Sequence, residues 1–274
     1  MRVLALACMA ILLSTFDASA ERLRVVASLP PLALIAEAVA GERADVIGLG
    51  DGGEGHEHGG RLRPSDARAL AGADLAFWVG PVLEPTLARA LPADAIALGD
   101  AAGITPRDGV DGRPDLHVWL SPANAAVLAR EMAEALAARD PDGAATYGSN
   151  ADALIARIDA VGADARRRLA PLSAVPYAVE HDAFGHFADW VGLEPASTAT
   201  GQGARSLRAA ATDAAERGVA CVIAEPGEPA RIARVLGDTV PTVTVDPLGR
   251  DAPHLPGLIA EVTLGFERCL RNGA

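Results

Sequence analysis

The sequence contains no lysine, and all 24 of its basic residues are arginine. Against them stand 36 acidic residues, which gives a formal net charge of -12 over 274 residues. A protein that binds nucleic acid needs a basic face to displace the counterions around the phosphates. The shortage of positive charge therefore argues against a nucleic-acid partner.

Beyond the first twenty residues, the chain lacks any apolar run long enough to cross a bilayer. Residues 1–20 themselves have the features of a cleaved signal peptide. Arg2 provides a positive start, Val3–Leu13 is a short apolar run, and Ala18-Ser19-Ala20 matches an A-x-A cleavage site. We therefore expect a soluble exported protein whose mature chain begins near Glu21.

Cysteine is scarce, and no CxxC or HExxH motif occurs. One of the three cysteines lies in the predicted signal peptide, so the mature chain keeps Cys221 and Cys269. In an oxidising compartment, two cysteines favour a disulfide. Two separate buried thiols are the alternative.

Short apolar runs alternate with helical patterns in both halves of the chain, which predicts α/β structure with parallel sheets. Between the halves lies the longest helical pattern, about Ala144–Leu169, with apolar residues at steps of three and four. We predict two α/β lobes, residues 21–143 and 171–274. Each should have a mainly parallel sheet flanked by helices, and one linker helix over 144–170 should join them.

Two local predictions concern segments near the candidate site. Pro81 is expected to open a helix over Val82–Leu91. His117–Leu120 (HVWL) is expected to be a short apolar strand, followed by a helix with Ser121 as its cap and Pro122 at its first position.

Metal-capable side chains recur near the ends of predicted strands. Glu57 and His58 lie in a glycine-rich loop after the second strand, His181 follows the YAVE run, and Asp246 follows the TVTV run. Ligands of open α/β sheets bind beyond the carboxyl ends of the strands, and these positions fit that rule. His117 fits less well, because its predicted strand follows it.

Three neutral imidazoles and one oxygen match tetrahedral Zn²⁺. Magnesium and calcium prefer oxygen shells, and manganese favours more carboxylates. Two candidates lie in each lobe, so a site between the lobes could collect all four. Each histidine taken singly also fits a structural or solvated role. A zinc hydrolase would need a general base and a substrate pocket, and the sequence shows neither clearly.

Four further polar residues are weaker candidates. Two of them, His56 and Glu225, have two interpretations each. His56 is either an auxiliary ligand or an exposed loop residue. Glu225, after a buried strand, either hydrogen-bonds and orients a ligand imidazole or is an ordinary acid at a helix start. We expect His186 to be structural and His254, in a proline-rich turn, to be exposed.

Several segments, in order along the mature chain, resemble the zinc-specific solute-binding proteins of ABC importers, the ZnuA/TroA-like cluster. They are HGGRLRPSDARALAGADLAFWVGP (His58–Pro81), DLHVWLSP (Asp115–Pro122), HDAFGHF (His181–Phe187), AEP (Ala224–Pro226) and VDPLG (Val245–Gly249). The resemblance covers essentially the whole mature chain.

The resemblance implies two α/β lobes joined by one long helix, with the metal histidines at His58, His117 and His181. It leaves the fourth position to Asp246, Glu57 or water. Manganese binders of this family typically have glutamate where this chain has His181, so the resemblance implies zinc.

The resemblance also implies a disulfide between Cys221 and Cys269, a periplasmic location and no enzymatic activity. It implies delivery of Zn²⁺ to an inner-membrane ABC permease of the same uptake system. We expect a monomer, with a periplasmic zinc chaperone as an optional second partner. A manganese- or iron-binding importer component and a metal-dependent adhesin are the alternatives. Many zinc members have a long histidine-rich loop before the second ligand, whereas Thr105–Pro114 contains no histidine.

Overall fold

The structure is a computed structural model that describes residues 22–49, 62–110, 112–199, 204–227, 230–237 and 240–272. The predicted signal peptide, residues 1–20, lies outside these ranges. The candidate ligands Glu57 and His58 and the auxiliary candidate His56 also lie outside them.

The first half of the chain forms a four-stranded parallel sheet. Its strands are β1 (Leu23–Ala27), β2 (Ala44–Gly48), β3 (Leu75–Trp78) and β4 (Ile96–Ala97). They lie in the order β2-β1-β3-β4, so β1 is central. Its Val25 pairs with Val46 on one side and with Leu75 on the other.

The second half repeats this topology. Its strands are β5 (Ala178–Val179), β6 (Ser197–Thr198), β7 (Val222–Ala224) and β8 (Thr242–Thr244). They are also parallel and lie in the order β6-β5-β7-β8. In both sheets the chain leaves the two central strands in opposite directions. The crevices between β1 and β3 and between β5 and β7 are therefore topological switch points, where open α/β sheets bind ligands.

Helices flank both sheets. Within the described residues they are α1 (Pro30–Ala40), α2 (Pro64–Ala71), α3 (Pro122–Arg139), α4 (Ala144–Leu169), α5 (Gly185–Val191), α6 (Ala204–Glu216), α7 (Arg231–Leu236) and α8 (Leu255–Arg271). The predicted start of α3 is confirmed, because Ser121 Oγ accepts a hydrogen bond from the Asn124 amide and Pro122 occupies the first turn. Among these residues, no helix is both long and apolar enough to span a bilayer.

The long helix α4 joins the halves, as predicted. It packs against α1 and α3 of the first half and against α5 and α8 of the second. Its buried residues Leu154 and Ile158 belong to one hydrophobic core that extends from Val25 in β1 to Phe266 in α8. Because this core is continuous across both halves, side-chain packing fixes their relative position.

A disulfide joins Cys221, directly before β7, to Cys269 near the end of α8, with 5.4 Å between the Cα atoms. Both residues are fully buried. The favoured interpretation of these two cysteines is therefore confirmed, and α8 is tied to a central strand of the second sheet.

The prediction of a helix over Val82–Leu91 is wrong. Within this segment only Leu87–Arg89 is helical, as a short 3₁₀ turn. Pro85 lies inside the predicted segment and cannot donate a helical hydrogen bond. The preceding residue, Glu84, is buried, and its Oε2 accepts a hydrogen bond from the Val79 amide at 2.7 Å. This carboxylate holds the chain against the end of β3.

The strand predicted at His117–Leu120 is also wrong, since Val118–Leu120 forms a 3₁₀ turn. All three of its side chains are buried, whereas a strand with one solvated face would expose alternate residues. Trp119 Nε1 donates a hydrogen bond to the Pro247 carbonyl at 2.8 Å. The turn is thus enclosed by both halves of the chain.

Candidate metal centre

His181 and Glu225 meet at the switch point of the second sheet. His181 lies two residues beyond β5, and Glu225 follows β7 directly. These strands are neighbours, with Val179 paired to Ile223. Residues 44 positions apart in the sequence are thereby brought together, and His181 Nδ1 lies 2.7 Å from Glu225 Oε1. The contact between Glu225 and an imidazole, left open by the sequence, is present.

His117 has an equivalent partner in the first half. The side chain of Asp115, only 1% exposed, places its Oδ1 2.8 Å from His117 Nδ1. The same oxygen accepts a hydrogen bond from the His117 backbone amide at 3.0 Å. Asp115 was not singled out from the sequence, although an acid two residues before a candidate ligand is close enough to fold back onto it.

The charge state of Asp115 fixes the tautomer of His117. Burial by itself would raise the pKa of the Asp115 carboxyl, but the hydrogen bonds that it accepts from the His117 side chain and backbone amide help to hold that pKa below its usual value. An ionised carboxylate can only accept, so Nδ1 of His117 carries the proton. Nε2 then has the lone pair that can coordinate a metal. Glu225 Oε1, 2.7 Å from His181 Nδ1, is in position to accept from His181 in the same way.

The two imidazoles are spaced as two ligands of one ion would be. Their ring centroids are 5.5 Å apart, and the ring planes are inclined at 82°. With Zn–N bonds of about 2.0–2.1 Å, each centroid would lie about 3.2 Å from the ion, and two tetrahedral ligands would have centroids about 5.2 Å apart. The ring spacing is therefore close to that of two ligands on one tetrahedral Zn²⁺, with one ring from each half of the chain.

Asp246 has other partners. Its Oδ1 accepts hydrogen bonds from the Leu248 amide and from Arg250 Nη1, both at 3.0 Å, and its Oδ2 accepts from the Arg250 amide at 2.9 Å. The next residue, Pro247, accepts from Trp119, whose ring centroid is 5.4 Å from that of His117. The Asp246 loop thus reaches the neighbourhood of His117, while its carboxylate is held by Arg250.

Within the ranges that the structure describes, no group of three or more His, Cys, Asp or Glu side chains is in position to hold a metal. Asp246 is therefore not gathered with His117 and His181. The third imidazole candidate, His58, and the alternative oxygen ligand Glu57 belong to the segment outside those ranges, as does the auxiliary candidate His56.

His186 supports the site without belonging to it. It is buried, its Nε2 lies 2.9 Å from the Asp115 carbonyl, and its Nδ1 lies 3.4 Å from the Asn124 side-chain amide. The Asp115 carbonyl can only accept, so Nε2 carries the proton and Nδ1 accepts from Asn124. The predicted structural role of this histidine is confirmed.

The expectation that His254 is exposed is wrong. It is half-buried at the start of α8, where its Nδ1 accepts a hydrogen bond from the Gly257 amide at 2.9 Å. Its imidazole serves as a helix N-cap, which the sequence did not suggest because histidine is an uncommon cap.

Each switch point also holds a buried glutamate. Glu84 Oε2 accepts from the Val79 amide, and Glu180 Oε1 accepts from the Ile232 amide at 2.7 Å in the first turn of α7. Burial raises the pKa of both carboxyls, despite the opposing effect of these hydrogen bonds. Glu84 thereby holds the end of β3, and Glu180 holds the first turn of α7.

Comparison with known proteins gives consistent matches over most of the chain. A family model described as the periplasmic zinc-uptake complex component A, ZnuA, matches residues 25–259. The high-affinity zinc uptake system protein ZnuA of Paracoccus denitrificans (strain Pd 1222) is 31% identical over 308 aligned positions, which cover 94% of each chain.

Solved structures share the fold. A crystal structure of ZnuA has a TM-score of 0.80 at 22% identity, and the match covers 91% of this chain and 100% of that one. A zinc-bound ZnuA deletion mutant has a TM-score of 0.79 at 25% identity, and the match covers 93% of this chain and 99% of the other.

Proposed function

The chain belongs to the ZnuA family of periplasmic zinc-uptake components, and from this premise we propose how it holds its cargo. It is the zinc-binding component of an ABC importer, so Zn²⁺ is transported and not chemically transformed. We propose that the ion binds between the two halves of the chain, with His117 and His181 as two of its ligands. The observation that supports this most directly is the 5.5 Å spacing of their rings.

We propose that His58 supplies the third imidazole and that Asp246 or Glu57 completes the coordination shell. Asp246 would have to exchange its contact with Arg250 for the metal, since Arg250 Nη1 now lies 3.0 Å from its Oδ1. Glu57 precedes His58 in a glycine-rich stretch of the sequence.

The carboxylates of Asp115 and Glu225 have two roles in this scheme. Each fixes one imidazole in the tautomer and orientation that the metal needs. Each also places a negative charge near the ion, which offsets part of the cost of removing Zn²⁺ from water. Capture by neutral imidazoles requires no reaction of the ligands, consistent with a transport component and not an enzyme.

The finer features of the transport role follow from the same premise. We propose that residues 1–20 are a cleaved signal peptide and that the mature protein acts as a periplasmic monomer. Its principal partner is the inner-membrane ABC permease of its uptake system, and a periplasmic zinc chaperone is an optional second partner.

The test is a zinc titration of the metal-stripped mature protein against a competing chelator. We expect one tightly bound Zn²⁺, and we expect His117→Ala and His181→Ala each to weaken binding by at least about 100-fold. His254→Asn is the matched control, because asparagine can replace the helix cap while the imidazole is lost. Equal affinities of the two alanine variants and the wild-type protein would refute the proposed ligands.

The same titration separates zinc from the alternative cargoes. We expect Mn²⁺ and Fe²⁺ to compete poorly, because a histidine-rich shell with few carboxylates suits zinc better. Displacement of Zn²⁺ by equimolar Mn²⁺ would instead favour a manganese-uptake role.

A further inference from the structure

Arg107 links the supports of the two histidines. Its Nη1 lies 2.9 Å from Asp115 Oδ2 and 3.4 Å from both carboxylate oxygens of Asp182, and its Nε lies 3.1 Å from Asp189 Oδ2. Asp115 holds His117, and Asp182 directly follows His181. One guanidinium therefore touches the carboxylate that orients one proposed ligand and the carboxylate next to the other.

The backbone around Arg107 holds the side chain in place. The Arg107 carbonyl accepts a hydrogen bond from the Asp115 amide at 2.8 Å, which joins the two ends of the loop between these residues. The Val110 amide of this loop donates to Asp182 Oδ2 at 2.7 Å, across to the second half of the chain. Arg107 and its loop thus fasten the two halves together directly beside His117 and His181.

We propose that Arg107 is a positioning residue for zinc: it locks Asp115 so that Oδ1 faces His117, and it ties that carboxylate to the segment that carries His181. The proposal rests on the proposed function, because it assumes that both histidines bind the ion.

The electrostatics of the cluster explain why an arginine is needed there. The side chain of Asp115 is almost completely buried, and a buried carboxylate without a cation is costly. Without Arg107, its Oδ2 would lose the cationic partner that fixes the plane of the carboxylate. The planar guanidinium can hold several acceptors in fixed directions, which a lysine ammonium cannot do.

Gly185, the first residue of α5, provides the space that Arg107 occupies. A Cβ atom on Gly185 would lie 2.0 Å from Arg107 Cζ, far inside contact distance. An alanine at this position must therefore displace the guanidinium, although it removes no charged group. The substitution offers a second, purely steric way to disturb Arg107.

The experiment compares zinc affinity, the zinc dissociation rate and thermal unfolding for Arg107→Gln, Arg107→Lys and Gly185→Ala. Two variants are matched controls. Arg43→Gln removes a half-buried arginine that pairs with Asp140 at 2.7 Å, away from either histidine's hydrogen-bond partners. Gly148→Ala adds a methyl group in α4, where nothing lies within 4 Å of the new atom.

We expect Arg107→Gln and Gly185→Ala to speed zinc dissociation and weaken affinity by about tenfold, and Arg107→Lys to have a smaller effect. Both controls should keep wild-type zinc binding, even if Arg43→Gln lowers the unfolding temperature. With Co²⁺ as the bound metal, the visible absorption of Arg107→Gln should differ from that of the wild type, while the spectrum of Arg43→Gln should not. A purely structural role for Arg107 would leave the Co²⁺ spectrum unchanged.

The outcomes separate the two proposals. A wild-type protein that does not bind Zn²⁺ would overturn the proposed function. A wild-type protein that binds Zn²⁺, with Arg107→Gln and Gly185→Ala matching its affinity, dissociation rate and spectrum, would overturn the role of Arg107 alone. If Arg107→Gln does not fold, Gly185→Ala decides the question by the same measurements.

Discussion

Reduction of the disulfide between Cys221 and Cys269 should lower the free energy of unfolding of the zinc-free protein by about 4 kcal/mol. The bridge joins residues 48 positions apart. The chain-entropy model assigns about 4 kcal/mol to a loop of this length, because the bridge removes conformations that the unfolded chain would otherwise sample. In a protein of this size, that corresponds to a fall of about 8–16 °C in the unfolding temperature.

The assay is thermal unfolding in the presence of a chelator, because bound zinc would add its own stabilisation to both forms. Oxidised protein is compared with protein that has been unfolded, reduced and refolded. The Cys221→Ala/Cys269→Ala variant serves as a second comparison. Both cysteines are fully buried, so the alanine variant also leaves a small cavity and should be somewhat less stable than the reduced protein.

The location of the bridge also predicts how its reduction affects zinc binding. It ties α8 to the start of β7, and Glu225 follows the end of that strand. We expect the reduced protein to keep its zinc affinity at 25 °C, because β7 is also held between β5 and β8. A stability difference below about 1 kcal/mol between the oxidised and reduced forms would refute the entropic argument.

Three more predictions test other parts of the structure. Glu225→Gln should weaken zinc binding by about 10–100-fold, because the amide orients His181 less strongly; an unchanged affinity in the chelator titration would contradict this. Burial raises the pKa of Glu84 above 4.5, so this residue favours the folded state fully below pH 4.5 and less as the pH rises through its folded pKa. In denaturant unfolding, the free energy of unfolding of Glu84→Gln relative to that of the wild type should therefore be higher at pH 8 than at pH 4. The reverse order would refute this pH dependence. Scattering profiles of metal-free and zinc-loaded protein should give similar radii of gyration, because one core spans both halves, and a large change would show that the halves move.

The parts of the fold that follow from local pattern were predictable. Helix α4 was predicted over Ala144–Leu169 and begins and ends there, since its apolar residues are periodic and Pro171 follows it. The strand Ser197–Thr198 was not predicted, because two residues carry no periodic signal and pair only through β5. The incorrect prediction of a helix over Val82–Leu91 shows that a proline inside a segment is stronger evidence against a helix than a proline at its first position is for one.

The sequence singled out the histidines of the candidate site but not the side chains that support them. The proposed ligands His117 and His181 were singled out by the motifs around them, and His181 also by its position after a predicted strand. Arg107 gave no signal, because its partners lie up to 82 positions away and are reached only in the folded chain. The contact of Asp246 with Arg250 is local, at a spacing of four residues, but the sequence does not say whether that aspartate prefers an arginine or a metal.

Under the proposed function, the carboxylates that support His117 and His181 explain how the protein would capture its ion. Both imidazoles are held at Nδ1 by carboxylates, so the tautomer that zinc needs is set without the metal. The halves that carry them are joined by a continuous core, by α4 and by Arg107, so little conformational freedom would remain to be lost at these two proposed ligands on binding. A site ordered in this way binds tightly because binding needs little reorganisation, but for the same reason it does not release zinc readily by itself. Delivery then requires a partner that disturbs the supports, and the contact between Arg107 and Asp182 is a direct point at which separating the halves would loosen both histidines together.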